Sequence, residues 1–181
     1  PIMLESQTKS RSVPVNVLTV DVEEHFQVSA FENVVVREQW DRWPSRVERN
    51  TEILLDLFDR VHSTGTFFIL GWVAERHPAL VRRIAERGHE VACHGYSHRL
   101  VYTQQPDAFR EETRRSKGLL EDAVGGPVLG YRAASFSIGW LMFGPYDSAT
   151  PHPQMPHVGS SRAASLNERI ASWGLKPYIN V

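Results

Sequence analysis

The chain has little of several things, and each shortage excludes something. It carries one cysteine, Cys93, in 181 residues, so an internal disulfide is impossible and no oxidising-compartment signature is present. No apolar run approaches the roughly 18 residues that cross a bilayer. Neither charge is in excess: 20 Lys and Arg stand against 21 Asp and Glu, a formal net charge of −1. No global field therefore steers the chain to nucleic acid or to an anionic membrane surface. Pro1 to Pro14 is polar and lacks the apolar core of a secretory signal. The residues as given read as cytoplasmic, with a leader upstream of Pro1 left open. The remaining composition, 41% apolar and 23% charged, is that of one globular domain with a real core.

Along the chain, strand-like and helix-like stretches alternate. Val15 to Val22 is β-branched and apolar and runs into an acidic cluster, which suits a buried strand delivering carboxylates at its C-terminal end. Val47 to His62 sets Ile53, Leu54, Leu57, Phe58 and Val61 at helical spacing, with Gly65 closing the helix. Thr66 to Leu70 reads as a second strand. Trp72 to Arg87, with Val73, Leu80, Val81 and Ile84 on one face, reads as a second helix stopped by Gly88. Glu90 to Cys93 is a third strand, Pro106 to Val124 a third helix broken by Gly125-Gly126-Pro127, and Val128 to Tyr131 a fourth strand. Strands alternating with such helices imply a parallel sheet, because parallel pairing needs crossover connections. From Gly139 onward Pro, Gly and Ser interrupt any period, apart from a short possible helix over Ala163 to Trp173. The expected organisation is a flexible N-terminus (1–14), an α/β domain (15–138) and a divergent, poorly structured tail (139–181).

Two clusters carry chemistry. His94-Gly-Tyr-Ser-His98 follows the third strand directly, and one helical turn there would aim both imidazoles at a common point, as a bidentate metal pair. Solvated or helix-capping histidines are the alternative. Asp21-Val22-Glu23-Glu24-His25 ends the first strand, where alternation turns Asp21 and Glu23 to one side and Val22 to the other. Two such carboxylates repel unless a cation lies between them; an acidic loop facing water is the bland reading. Taken together, one carboxylate and two imidazoles leave coordination positions open for water and substrate, which marks a catalytic site. Asp21 would then serve as base and Arg132 would orient it or fix its charge. By ligand type the metal is zinc, with cobalt and nickel as alternatives.

The order TVDVEE, TGTFFILGWVAERHPALVRRIAERGHEVACHGYSH and YRAASFSI is similar to the polysaccharide deacetylases of carbohydrate esterase family 4, the NodB-homology group. The resemblance covers roughly residues 15 to 138 and is nearest to a branch with a DVEEHF opening associated with exopolysaccharide loci. It implies an irregular (β/α) barrel, here incomplete, and removal of N-acetyl groups from an acetylated amino-sugar polysaccharide or oligosaccharide. On the matching positions it implies Asp21 as catalytic base, His94 and His98 as metal ligands and Arg132 as the arginine supporting the base. The family's second metal-binding Asp corresponds to Val22, so Glu23 is the expected substitute and Glu24 the reserve. Ala134 stands where the family has proline. The later hydrophobic-pocket and Leu-His motifs, whose His is the general acid, have no match after Ile138, and His152 and His157 are poor replacements. Two rival functions stay open: a cyclic amide or imide hydrolase of the same superfamily, with or without metal, and a non-catalytic glycan-binding or inactive remnant.

Other residues invite weaker readings. His25 is a ligand, a substrate contact or a solvated neighbour. His62, His77 and His89 fall at helix ends and turns and read as structural. Cys93 reads as a small core residue. Phe26, Phe31, Trp40 and Trp43 make the loop after the first strand aromatic, fit either to line a glycan groove or to form a buried lid.

Overall fold

A computed structural model describes residues 16–137, Gly174 and Lys176–Pro177. Five parallel strands lie in the order β1-β2-β3-β4-β5: β1 (Thr19–Val22), β2 (Thr66–Ile69), β3 (Glu90–Cys93), β4 (Gly130–Tyr131) and β5 (Lys176–Pro177). The crossovers are α1 (Val47–Arg60), then α2 (Gly71–Arg76) with α3 (Pro78–Glu86), then α4 (Pro106–Val124). Register runs Asp21 beside Phe68 and Ile69 beside Cys93, which brings the strands' C-terminal ends to one edge. Among the described residues the sheet is not closed, consistent with an incomplete barrel. No helix among the described residues is long and apolar enough to cross a membrane.

The interior strand β2 is buried at all four positions, the pattern of a parallel strand covered on both faces. Alternation sends Phe67 and Ile69 into the core shared with Leu55, Leu80, Ile84 and Leu120, and turns Phe68 to the other face. Phe26, Trp40 and Trp72 form a second cluster of tilted and edge-on rings, with Trp40 and Trp72 centroids 5.7 Å apart. The aromatic loop therefore divides: Phe26 and Trp40 are core, whereas Phe31 and Trp43 are exposed.

Several element bounds are corrected, and one strand falls where none was expected. The second helix is two, α2 and α3, because Pro78 cannot donate its backbone hydrogen bond and begins a new helix, with His77 at ψ 54 between them. Helix α1 ends before Gly65: His62 takes the left-handed conformation at φ 52, while Gly65 is needed because a Cβ there would stand 2.9 Å from the Leu18 carbonyl oxygen. β1 begins at Thr19, with Val17 and Leu18 exposed ahead of it. Strand β5, pairing Gly130 with Lys176 and Tyr131 with Pro177, falls in the stretch expected to lack structure. The expected flexible N-terminus and the helix over 163–173 lie outside the described residues.

Candidate functional site

The parallel register gathers β1, β3 and β4 so that the residues leaving each strand meet at one edge, the usual place for sites in such folds. Beyond β3, His94 N–H donates to the Ile69 carbonyl at 3.0 Å, and Arg132 N–H donates to the Cys93 carbonyl at 2.9 Å. These backbone bonds set His94 beside Arg132. The His94 Nδ1 then lies 2.9 Å from the Arg132 carbonyl oxygen. A carbonyl only accepts, so Nδ1 carries the proton and Nε2 presents its lone pair. His94 is almost wholly buried, and burial pushes its pKa below the usual histidine value, against the pull of Asp21 and Glu23. It is held as the neutral, ligating form.

His98 does not complete a helical turn. Gly95 at φ 78 and His98 at φ 51 bend the chain instead, and the two rings stand 5.4 Å apart at 65°. The bend is bolted down by α2 and α4. Gly71 N–H and Ser116 Oγ both donate to the Gly95 carbonyl, at 2.8 and 2.9 Å, and Trp72 N–H donates to the Tyr96 carbonyl at 3.2 Å. Gly71 has no room for a side chain, since its Cβ would fall 2.6 Å from the Tyr96 ring.

Glu23 Oε2 lies 3.0 Å from His98 Nε2, yet this buried oxygen has no aligned hydrogen bond among the described residues. Asp21 Oδ2 is 3.9 Å from His94 Nε2. Glu23, His94 and His98 offer ligand atoms that all lie within 4.8 Å of one another, on the scale set by bonds of about 2 Å to a shared centre. A buried carboxylate oxygen beside two imidazole nitrogens is a donor set that a divalent cation satisfies, so the residues fit such an ion.

Asp21 is held from the other side. Arg132 Nη1 donates to Asp21 Oδ1 at 2.7 Å and Nη2 donates to Thr19 Oγ1 at 3.0 Å, while the guanidinium stacks 3.9 Å above the Phe68 ring. Thr19 and Phe68 carry no signal in the sequence beyond alternation, which puts Thr19 on the face of Asp21. An open cavity of ≈ 210 Å³ borders Asp21 and Glu23, with Arg46 and Asn50 in its wall.

Glu24 is not a reserve ligand. Alternation turns it away from Glu23, and its buried carboxylate caps α1 by accepting from Arg46 N–H at 3.0 Å, Val47 N–H at 3.3 Å and the Ser45 hydroxyl. A carboxylate there is favoured by the positive end of the helix dipole. His25 is half exposed and edge-on to Phe26. His77 lies 3.6 Å from Glu48, and His89 is buried against Phe58 and Phe67. Cys93 is buried, and burial raises its thiol pKa, which leaves it an inert core residue.

Fold and geometry together define an α/β protein with a cation-type donor set mounted on the C-terminal edge of a parallel sheet. The polysaccharide deacetylase family matches residues 33–138, more than half of the chain, and the chain belongs to that family. The matched stretch contains His94, His98 and Arg132 and begins after Asp21 and Glu23. A peptidoglycan-N-acetylglucosamine deacetylase of Bacillus cereus is 33% identical over 75 residues, 41% of this chain and 27% of that protein. A chitooligosaccharide deacetylase of Rhizobium leguminosarum bv. trifolii is 33% identical over 70 residues, 39% of this chain and 33% of that one. The chain spans well under half the length of these curated relatives. Among solved structures, a family 4 carbohydrate esterase from Streptomyces lividans in complex with acetate aligns with a TM-score of 0.55 at 23% identity, covering 76% of this chain and 57% of that chain. A pseudoenzyme of the same family from Bacillus anthracis aligns with a TM-score of 0.55 at 15% identity, covering 90% and 42%. These likenesses establish the fold, which active and inactive members share.

Proposed function

We propose that the chain is the metal-binding part of a hydrolase that removes N-acetyl groups from an acetylated amino-sugar polymer. The observation that carries this reading is the convergence of Glu23, His94 and His98 beside an Asp21 clamped by Arg132. The curated relatives act, by name, on peptidoglycan N-acetylglucosamine and on chitooligosaccharides, which supports an acetamido sugar as substrate. The DVEEHF opening supports an exopolysaccharide among such polymers.

A divalent ion held by Glu23, His94 and His98, with zinc first by ligand type, would polarise the acyl oxygen and make bound water more acidic. The remaining work falls to the chain's own groups. Asp21 takes the proton of the attacking water as general base, and Arg132 keeps its carboxylate aimed. His94, fixed by its Nδ1–H bond, holds its lone pair in place without reorganisation. Water adds to the acyl carbon, the carbon–nitrogen bond breaks, and acetate and a free amine leave; the proton taken by Asp21 is the one the amine requires.

Acetate release from acetylated chito-oligomers by the zinc-loaded chain tests this. Asp21→Asn is expected to lower the rate by about 10²–10⁴-fold, the usual worth of a general base. A rate unchanged by Asp21→Asn would overturn the assignment. The lack of a match to the Leu-His motif after Ile138 favours a second reading, glycan binding without turnover, and saturable oligomer binding with no acetate release would establish it.

A further inference from the structure

The two histidines are held in different ways. His94 is oriented by its own ring, through Nδ1 to the Arg132 carbonyl. Among the described residues the His98 Nδ1 has no hydrogen-bond partner, although the residue is buried. A ring without such a bond takes its aim from the backbone, and the His98 backbone sits at φ 51, a left-handed conformation that its surroundings must impose on a non-glycine residue.

The imposing contacts converge on Ser97. The Ser97 carbonyl belongs to the same peptide unit as the His98 N–H, so whatever holds that plane fixes the side from which the chain enters His98 and the reference against which its φ is set. Arg37 Nε donates to this carbonyl at 2.9 Å across sixty residues of sequence. The Ser97 hydroxyl donates to Glu112 Oε1 at 2.7 Å. Both holders are themselves anchored. Arg37 lies between buried Val35 and Trp40, with its guanidinium 5.9 Å from the Trp40 ring; Glu112 rides on α4, whose buried Phe109, Thr113 and Ser116 fix it to the sheet.

We infer that Arg37 and Glu112 are positioning residues that clamp Ser97 from two sides and thereby aim His98 Nε2 at Glu23. The inference rests on the proposed metal site and adds to it the groups that preorganise its least supported ligand. A ligand already aimed loses less freedom on binding, and groups that orient metal ligands are worth about 10–100-fold in affinity.

Zinc affinity of the full chain, read by competition with a chromophoric chelator, tests the clamp alongside the melting temperature of the metal-free chain. Arg37→Met and Glu112→Met are expected to weaken zinc binding at least tenfold, toward the upper half of that range when combined. Ser97→Ala, a milder change that removes only the hydroxyl, is expected to match Glu112→Met, and the pair of them together to lose no more than either alone. Glu32→Gln is the control: it removes the charge of the surface partner that accepts from Arg37 Nη1 at 2.6 Å and leaves the Nε contact, so affinity stays at the wild-type value. Wild-type affinity in both Arg37→Met and Ser97→Ala overturns the clamp while leaving the metal site standing. A wild-type chain that binds no zinc overturns the site and the clamp together.

Discussion

Replacing Glu24 by Gln keeps the side chain's shape and removes its charge at the N-terminus of α1. The carboxylate is buried to 1% exposure and accepts from two backbone N–H groups and the Ser45 hydroxyl. The amide retains one acceptor and turns its NH₂ toward the same donors. Loss of a side-chain cap costs about 0.5–2 kcal/mol, and loss of a partly buried charge at a helix end up to ~2 kcal/mol. The two overlap, so about 2 kcal/mol is expected. For a chain of this size that is a fall in melting temperature of roughly 4–8 °C. The assay is thermal unfolding of the metal-free chain, paired with zinc content after dialysis well below the transition. Glu24→Gln should melt early and hold zinc normally, whereas Glu23→Gln should melt near the wild-type temperature and lose zinc. Zinc loss in Glu24→Gln without a fall in melting temperature would refute the assignment of the two neighbouring carboxylates.

Two further outcomes follow from the same geometry. Arg132→Met removes a charge-assisted hydrogen bond to Asp21 and stacking on Phe68; such a bond is worth about 1.5–3 kcal/mol, so kcat is expected to fall on the order of 10–100-fold with zinc retained, and unchanged kcat contradicts the role. His89 gives a pH signature: burial lowers its pKa in the folded chain below the ordinary histidine value of about 6.5, so the unfolded chain binds the proton more readily. Its contribution is present in full above pH 6.5 and is lost as pH falls from there through the folded pKa. Urea midpoints should therefore drop between neutral and mildly acidic pH, and less so in His89→Gln; an equal drop in both would contradict the reading.

How far the sequence reached depended on whether a feature's cause was local. Helix α4 was legible end to end because Pro106 opens it and Gly125, at φ 70, closes it. The break between α2 and α3 was hidden because Val73, Leu80, Val81 and Ile84 keep one apolar face across Pro78, so periodicity read through a boundary that proline chemistry enforced. Strand β5 is two residues long and includes a proline; its partner β4 supplies the pairing, and nothing local announces it. At the site, alternation placed Asp21 and Glu23 on one side, and the structure brings both to the histidines. The path of the chain through His94–His98 was not legible, since a left-handed histidine is imposed by neighbours rather than by its own sequence. The same holds for Glu24, whose donors lie 21 to 23 residues away, and for Arg37, whose acceptor is a backbone carbonyl that any residue could supply.

The most direct test of a shared cation is zinc per chain, measured by elemental analysis after dialysis, for the wild type, His94→Ala and Asp21→Asn. The geometry predicts a single equivalent in the wild type, its loss in His94→Ala, and most of it kept in Asp21→Asn. Zinc content in His94→Ala equal to that of the wild type would contradict it.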